Sequence, residues 1–499
     1  MRLSLALTAA LLIAVPAAAA GPSDVAPTLG RSALMQTVER LASPELQGRL
    51  AGSSGYMKAA REMAERFRRV GLSPGGEDDS GARGYFQDLA VEYTEIEACR
   101  LALLGPDGAA RELRLGPDFT CRGFTGSGDF AGPVVFAGYG LSKPGKGYDD
   151  YAGVDVRGKV VLAFKEAPPF TVDSLGWGSA PLPRPKGLVA AEHGALALLL
   201  VSRPHQPHPQ KPIASTLEGE GREDESFPRL QVDVPVAAEM LRSSGLDLAQ
   251  IQALIDSTKA PHSSPLTAGV RIGVKARYHA QQPTVNVVGI LEGSDPDLKD
   301  EYVVLGAHLD HVGSQGGGVY FPGANDNASG AAAVVGIAEA FALGGARPKR
   351  SLIFGLWSSE ESGLQGAKRF VADPPVPRGR IVAYLNFDCV GHGDSIQVGG
   401  GKAYPKLWQI ARDLDAAGPR LTVAETWGGG GADAAPFEEA KIPNLYFASK
   451  FSYTHLHLAS DTPATLNPAL LEAVARLGYA TALEVAQGGT AGAPPAGSP

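Results

Sequence analysis

His308, Asp326, Glu361, Asp388 and His457 are two imidazoles and three carboxylates. Nitrogen and oxygen donors of this kind suit Zn²⁺ or a similar divalent metal. One catalytic zinc typically takes three protein ligands and keeps a position open, so five are more than a single ion needs. Two metals sharing one bridging carboxylate would use all five. Glu360 adjoins Glu361. One of the pair could bind metal while the other takes a proton from metal-bound water, whose pKa falls to about 7. Glu360 is read as the general base and Glu361 as the ligand. Asp310 and Asp461 are placed behind the ligands, because a metal-bound imidazole usually gives its other N–H to a carboxylate. Each could instead cap a turn. His455 competes with His457 on pattern alone. His193, His311 and His392 have no such partner and read as structural or exposed.

The elements that must position these groups alternate. Strands are expected over 303–307, 352–357, 381–387 and 444–447, and helices over 328–343 and 468–486. This alternation implies an α/β fold with a largely parallel sheet. His308 and Asp310 follow the first strand, Glu360 and Glu361 the second, Asp388 the third, and His455 and His457 the fourth. Open α/β sheets bind ligands outside the carboxyl ends of their strands. Four polar clusters converge there. Asp326 lies in the Gly- and Asn-rich stretch 322–330, where the chain must turn before a helix.

Upstream, helical periodicity covers 32–41 and 53–70, and a strand is expected over 85–93. A composition shift near Gly126 opens a stretch, 122–265, with strands over 132–140, 158–164 and 195–201 and a helix over 186–193. It has no cluster of ligands or nucleophiles and reads as a separate small domain inserted into the chain. Residues 21–121 and 266–486 then form the two parts of the catalytic domain, and the Gly-, Ala- and Pro-rich stretch 487–499 reads as a disordered tail.

The chain has 499 residues, 44% hydrophobic, with a net charge of −8. Its length calls for more than one domain, and the acidic balance argues against nucleic-acid binding. Arg2, the apolar run to Val15 and Ala18-Ala19-Ala20 read as a signal peptide, residues 1–20. The protein is therefore expected to be exported, periplasmic or secreted, with no membrane attachment after cleavage. Cys99 and Cys121 could pair in such a compartment, while Cys389 reads as a small buried residue on a strand.

Gly306-Ala307-His308-Leu309-Asp310, the 322–330 turn, Ser359-Glu360-Glu361-Ser362-Gly363-Leu364, Asn386-Phe387-Asp388, and His455-Leu456-His457 through Asp461-Thr462 together resemble the co-catalytic two-zinc aminopeptidases. These are the bacterial leucyl aminopeptidases of clan MH, relatives of glutamate carboxypeptidase II and transferrin receptor. The resemblance implies a three-layer αβα zinc-peptidase domain and two zinc ions. His308 and Asp388 would bind one, Glu361 and His457 the other, with Asp326 between them and Glu360 as base. It also favours His457 over His455, since the family's ligand stands four before an acidic residue, here Asp461. Peptides with a free N-terminus would be the substrates. A carboxypeptidase, dipeptidase or glutaminyl cyclase could use the same ligands, and an inactive binding protein is the rival outside enzymes. Residues 150–161 and 186–201 resemble a protease-associated (PA) domain, β-rich and without chemistry of its own. Ala432-Asp433 stand before Pro436-Phe437 where family members often show Ser-Asp: the aspartate matches and the serine does not.

Overall fold

The structure is a computed structural model and describes residues 27–77, 81–105, 108–171 and 176–489. The expected leader and residues 490–499 of the expected tail lie outside the described residues.

Helix α1 (Arg31–Leu41) buries Leu34, Val38 and Leu41, a helix-period stripe. Helix α2 (Ser54–Arg69) starts at Ser53, whose side chain accepts the Tyr56 N–H, and buries Tyr56, Ala59, Ala60, Met63 and Phe67. Strand β1 (Phe86–Leu104) then leaves this lobe and enters a second one. That lobe holds β2 (Phe119–Cys121), β3 (Gly128–Phe136), β4 (Val160–Phe164), α3 (Pro183–Glu192), β5 (Ala197–Val201), β6 (Arg229–Val232), α4 (Val234–Arg242) and α5 (Leu248–Thr258). Strand β7 (Ser264–Leu291) returns the chain over 28 residues. The first lobe then continues through β8 (Tyr302–His308), α6 (Gly330–Leu343), β9 (Ser351–Trp357), α7 (Gln365–Ala372), β10 (Ile381–Phe387), β11 (Ile396–Gly399), α8 (Pro405–Ala416), α9 (Ala434–Glu439), β12 (Asn444–Ser449) and α10 (Pro468–Ala486).

The main strands form one sheet in the order β11-β12-β10-β8-β9-β7-β3-β4-β5-β6-β2, with β1 also paired to β7. Strands β12, β10, β8 and β9 are parallel, and so are β3, β4, β5 and β6. Antiparallel β7 joins the two blocks. The protein is thus α/β with a mostly parallel central sheet. Helices α1, α2, α6, α8 and α10 cover one face of the first block, and α7 and α9 cover the other around Trp357, Phe370 and Phe437. That makes three layers.

The second lobe has its own core. It takes Ile96, Leu101 and Leu103 from β1 and Leu266, Val270, Ile272 and Val274 from β7. Those residues lie on both sides of 122–265, because β1 and β7 carry the sheet from one lobe into the other. The β1–β7 pairing runs from the first lobe into the second within the one sheet. Register shifts at Lys275/Ala276 and His279/Gln282 bend the long pair. Cys99 on β1 and Cys121 on β2 form a disulfide with Cα atoms 6.4 Å apart, which pins the start of the second lobe to the connecting strand.

Candidate metal centre

Each parallel strand of the first lobe delivers one group to the same edge. His308 ends β8, Glu360 and Glu361 lie three and four residues past β9, Asp388 follows β10, and His457 lies beyond β12. Apolar strands buried on both faces fix the backbone, and the polar residues are stranded at the ends.

Asp326 is brought in by stitching. Asn327 Nδ2 donates to the Phe387 carbonyl, and Asn327 Oδ1 accepts from Gly330 N–H. Asn325 Oδ1 accepts from Gly391 N–H. The 325–330 turn is thereby tied to 387–391, which sets Asp326 beside Asp388. A Cβ on Gly330 would lie 2.2 Å from the Phe387 carbonyl oxygen, so only glycine lets α6 start this close to β10. Asp461 closes the third side. Its carboxylate accepts the N–H groups of Asn325 and Asp326 at 2.9 and 3.0 Å. The sequence placed Asp461 behind His457. It holds the Asp326 turn instead, and His457 Nδ1 has no hydrogen-bond partner among the described residues.

The two oxygens of Asp326 face opposite ways. Oδ1 is 3.3 Å from His308 Nε2, which is also 3.4 Å from Asp388 Oδ1. Oδ2 is 3.2 Å from His457 Nε2, which is also 2.8 Å from Glu361 Oε2. Two sets of donors therefore meet at one carboxylate, and His308, Asp326, Asp388, Glu361 and His457 are all buried. The ligand atoms of His308, Asp326 and Asp388 lie within 4.8 Å of one another, as do those of His311, Asp326, Glu361 and His457. Asp388 Oδ2 accepts the Tyr446 hydroxyl at 2.6 Å, while its Oδ1 has no hydrogen-bond partner among the described residues. This set of converging, partly unpaired N and O donors fits divalent metal.

Asp310 is wholly buried. Its carboxylate accepts the N–H groups of Glu360 and Glu361 at 3.1 and 3.3 Å and lies 3.9 Å from His308 Nδ1. That nitrogen is closer to the backbone carbonyl of Asp310, at 3.1 Å. Asp310 thus reaches the glutamate loop, a contact the sequence did not suggest. His455 points away: its Nδ1 meets Ser460 Oγ and its ring stacks edge-on against His392. Among the rival pair, His457 is the one in the cluster.

Sequence reading passed over three groups. His311, read as structural or exposed, is buried with Nδ1 2.8 Å from Glu361 Oε1. Its place three residues after His308 on the same loop was the available signal. Arg49, wholly buried, donates to the carbonyls of Leu41, Leu309, Pro322 and Gly323 and so ties α1 to both ligand loops. Tyr446 is the third, and it alternates into the site from β12. Arg49 and Tyr446 contact backbone or a single oxygen, which leaves no motif.

Protonation follows the crowding in the metal-free chain. Burial pushes Glu360 well above the usual carboxylate range; His308 opposes this, and Glu361, Asp433 and Asp388 add to it. Burial also lifts Asp310, to about 6. For His308 burial works against the charged form, yet Glu360, Asp326 and Asp388 hold it well above the ordinary imidazole value. Asp326 goes the other way, held low by His311, His308 and His457 despite its burial. Asp433 is wholly buried, with no hydrogen bond to either carboxylate oxygen among the described residues. Burial and the field of Asp310, Asp388 and Glu361 keep it well above its ordinary value, against His308.

Residues 286–482, which contain every one of the candidate ligands, match the model of Peptidase family M28. Residues 286–482 thus resemble a domain of Peptidase family M28. Leupeptin-inactivating enzyme 1 of Streptomyces exfoliatus is 37% identical over 173 residues, 34% of this chain and 36% of that protein. A probable glutamate carboxypeptidase of Zea mays is 27% identical over 481 residues, 83% of this chain and 60% of its own length. The chain therefore spans between 36% and 60% of the length of these two curated relatives. Two solved structures share its fold across both lobes. An aminopeptidase from Aneurinibacillus sp. strain AM-1 matches with a TM-score of 0.63 at 17% identity, over 96% of this chain and 99% of that one. A zinc aminopeptidase from Bacillus subtilis matches with a TM-score of 0.59 at 19% identity, over 92% and 95%. The family match falls within the first lobe, without helices α1 and α2, and the second lobe lies outside it.

Proposed function

We propose that the M28 domain is a two-zinc aminopeptidase, and the observation that carries this is Asp326. Its two oxygens face two separate histidine–carboxylate pairs. His308 with Asp388 would hold one ion and His457 with Glu361 the other, Asp326 bridging. Bound zinc would supply Lewis-acid polarisation and water activation. The chain's own residues do the rest. Glu360 is half-buried beside these ligands, a place from which a carboxylate can take a proton from water and pass it to the leaving amine. Asp310 holds the Glu360 and Glu361 amides, and His311 turns Glu361 so that its second oxygen faces His457. Orientation of this kind is what neighbours of metal ligands provide.

The relatives' names raise carboxypeptidase as the second reading. The side chains around the site favour an amine instead. Asp310, Asp433 and Glu360 stand beside the proposed ligands, while Arg49, whose field reaches this group, is committed to four carbonyls and is not offered to a substrate carboxylate. Export is proposed on the leader-like residues 1–20 and on the Cys99–Cys121 disulfide, since such bonds persist in oxidising compartments. No helix among the described residues is long and apolar enough to cross a membrane.

The test is hydrolysis of leucine p-nitroanilide beside its N-acetylated form, with and without a chelator. Cleavage of the free-amine substrate alone, abolished by chelation and restored by Zn²⁺, is expected. Equal cleavage of both substrates, or preference for a peptide's C-terminal residue, would overturn the aminopeptidase assignment.

A further inference from the structure

The second lobe touches the metal centre. Thr216, in the irregular segment between β5 and β6, donates its hydroxyl to the backbone carbonyl of Glu361 at 2.5 Å. Thr216 is 5% exposed, so this hydrogen bond is shielded from water and strengthened by the low local dielectric. The Glu361 unit is thus gripped on both sides: its N–H by Asp310 of the first lobe, its C=O by Thr216 of the second. The loop needs such a grip. Ser359 and Leu364 both have positive φ, 59° and 63°, a conformation that costs energy for side-chain-bearing residues and persists where surroundings enforce it.

Thr216 is itself held firmly. Its neighbours Ile213 and Ser215 accept from Thr120 Oγ1 and Gly123 N–H through their carbonyls. Glu218, two residues on, is paired with Arg122 at 2.8 Å and sits beside Arg229 at 3.8 Å, all of them buried. A second contact joins the lobes nearby. Gln315, on the loop that follows His308, accepts the Cys121 N–H and donates to the Cys121 carbonyl. Ala214, Val312 and Phe321 close the gap as a small apolar cluster.

We infer that Thr216 is a positioning residue for the Glu360–Glu361 pair, so that the second lobe completes the metal centre. The hydroxyl fixes the Glu361–Ser362 peptide plane, Asp310 holds the Glu360–Glu361 plane before it, and the Glu361 side chain is set between the two. Removing it frees the loop to relax from its strained turn and moves both carboxylates off their targets. This rests on the metal-centre reading but not on which peptide bond is cleaved.

The decisive variants are Thr216→Val, which keeps shape and loses the hydroxyl, and Thr216→Ser, which keeps the hydroxyl. Three readouts apply: amide exchange over 358–366 in the metal-free chain, Zn²⁺ affinity by chelator competition, and kcat against KM. T216V is expected to exchange faster over 358–366, to bind Zn²⁺ about 10-fold more weakly, as loss of a ligand's outer support does, and to lose kcat with KM little changed. T216S should match the parent in all three. Gln315→Ala, which loosens the other contact, should leave exchange over 358–366 unchanged. If T216V does not fold, Thr216→Ala takes its place. Parental exchange and zinc affinity in T216V, or an equal loss in T216S, would overturn the inference. Absence of peptide cleavage in the parent itself would sink the aminopeptidase reading alone, since exchange and zinc affinity still decide the role of Thr216.

Discussion

Both lobes bury a cluster of charges, and the two clusters are built on opposite terms. In the second lobe the buried side chains of Arg122, Arg184, Arg229, Glu218 and Glu223 meet the partly exposed Glu92. Arg229 bonds Glu223 at 2.6 Å, Arg122 bonds Glu218 at 2.8 Å, and Arg184 reaches Glu92 at 3.1 Å and Glu223 at 3.3 Å. Each acid has a guanidinium, so the group closes on itself. In the first lobe the acids outnumber the bases. Asp310, Asp326, Glu361, Asp388, Asp433 and Asp461 are buried with His308, His311, His457 and Arg49, and Arg49 serves backbone carbonyls. Burying unpaired charge is expensive. A cluster that balances itself is structural, whereas one left acidic calls for cations from outside. Composition alone would rank the two alike.

The largest effect that sharpens this contrast is expected at Glu360. Glu360→Gln should lower kcat about 10²–10⁴-fold, the range of a general base, with bound zinc and thermal stability retained. Parental kcat in a zinc-loaded variant would remove Glu360 from the chemistry. Next is Arg229→Met, which strips the self-balanced cluster of a cation and leaves Glu218 and Glu223 facing each other. It should destabilise folding by about 3–5 kcal/mol, read by urea unfolding. A neutral result would mean that these acids are not balanced as described.

Zinc is the third lever. It should stabilise the metal-stripped protein by about 2.7 kcal/mol at a hundredfold excess over Kd, and so raise its unfolding midpoint, followed by calorimetry. His308 and His457 are both held above the ordinary imidazole value, His457 through Glu361 and Asp326 despite its burial. Protons therefore compete with the metal below those values, and affinity should rise with pH. A pH-independent affinity would contradict ligation through these rings.

The smallest effect belongs to Lys186, a buried cation with no acid bonded to it. Its ammonium donates to the carbonyls of Phe164, Lys165 and Glu166, and burial lowers its pKa to about 7. Between that value and 10.5 the unfolded chain binds a proton that the folded chain does not, so stability rises with pH. The gain from pH 7 to 9 should be about 1–2 kcal/mol and should vanish in Lys186→Met. Stability falling over that range would show that the folded lobe keeps the proton.

Much of the first lobe was legible in advance. The helix over 468–486 and the strand over 381–387 match their observed limits, because long periodic segments with capping signals carry their own boundaries. Strand β7 was not seen. Its buried positions lose strict alternation where the two bulges fall and where it passes from one core to the other, so no single period runs through it. Cys389 lies just past β10 at φ 54°, not on a strand. It is buried as expected.

The sequence by itself determined which donors exist and that they fall at the carboxyl ends of strands, because residue type and strand periodicity are local properties. Residue pattern alone left His455 and His457 open, the family resemblance favoured His457, and the tertiary structure supplies the physical reason. The chain turns through positive φ at Phe451 and His457, and that turn swings one ring inward and leaves the other against His392. Only the tertiary structure decided that Cys99 meets Cys121, that Asp461 serves the Asp326 turn, and that Thr216 of one lobe grips Glu361 of the other. Those contacts join residues distant in the chain, several through backbone atoms that every residue shares, and so no residue type announces them.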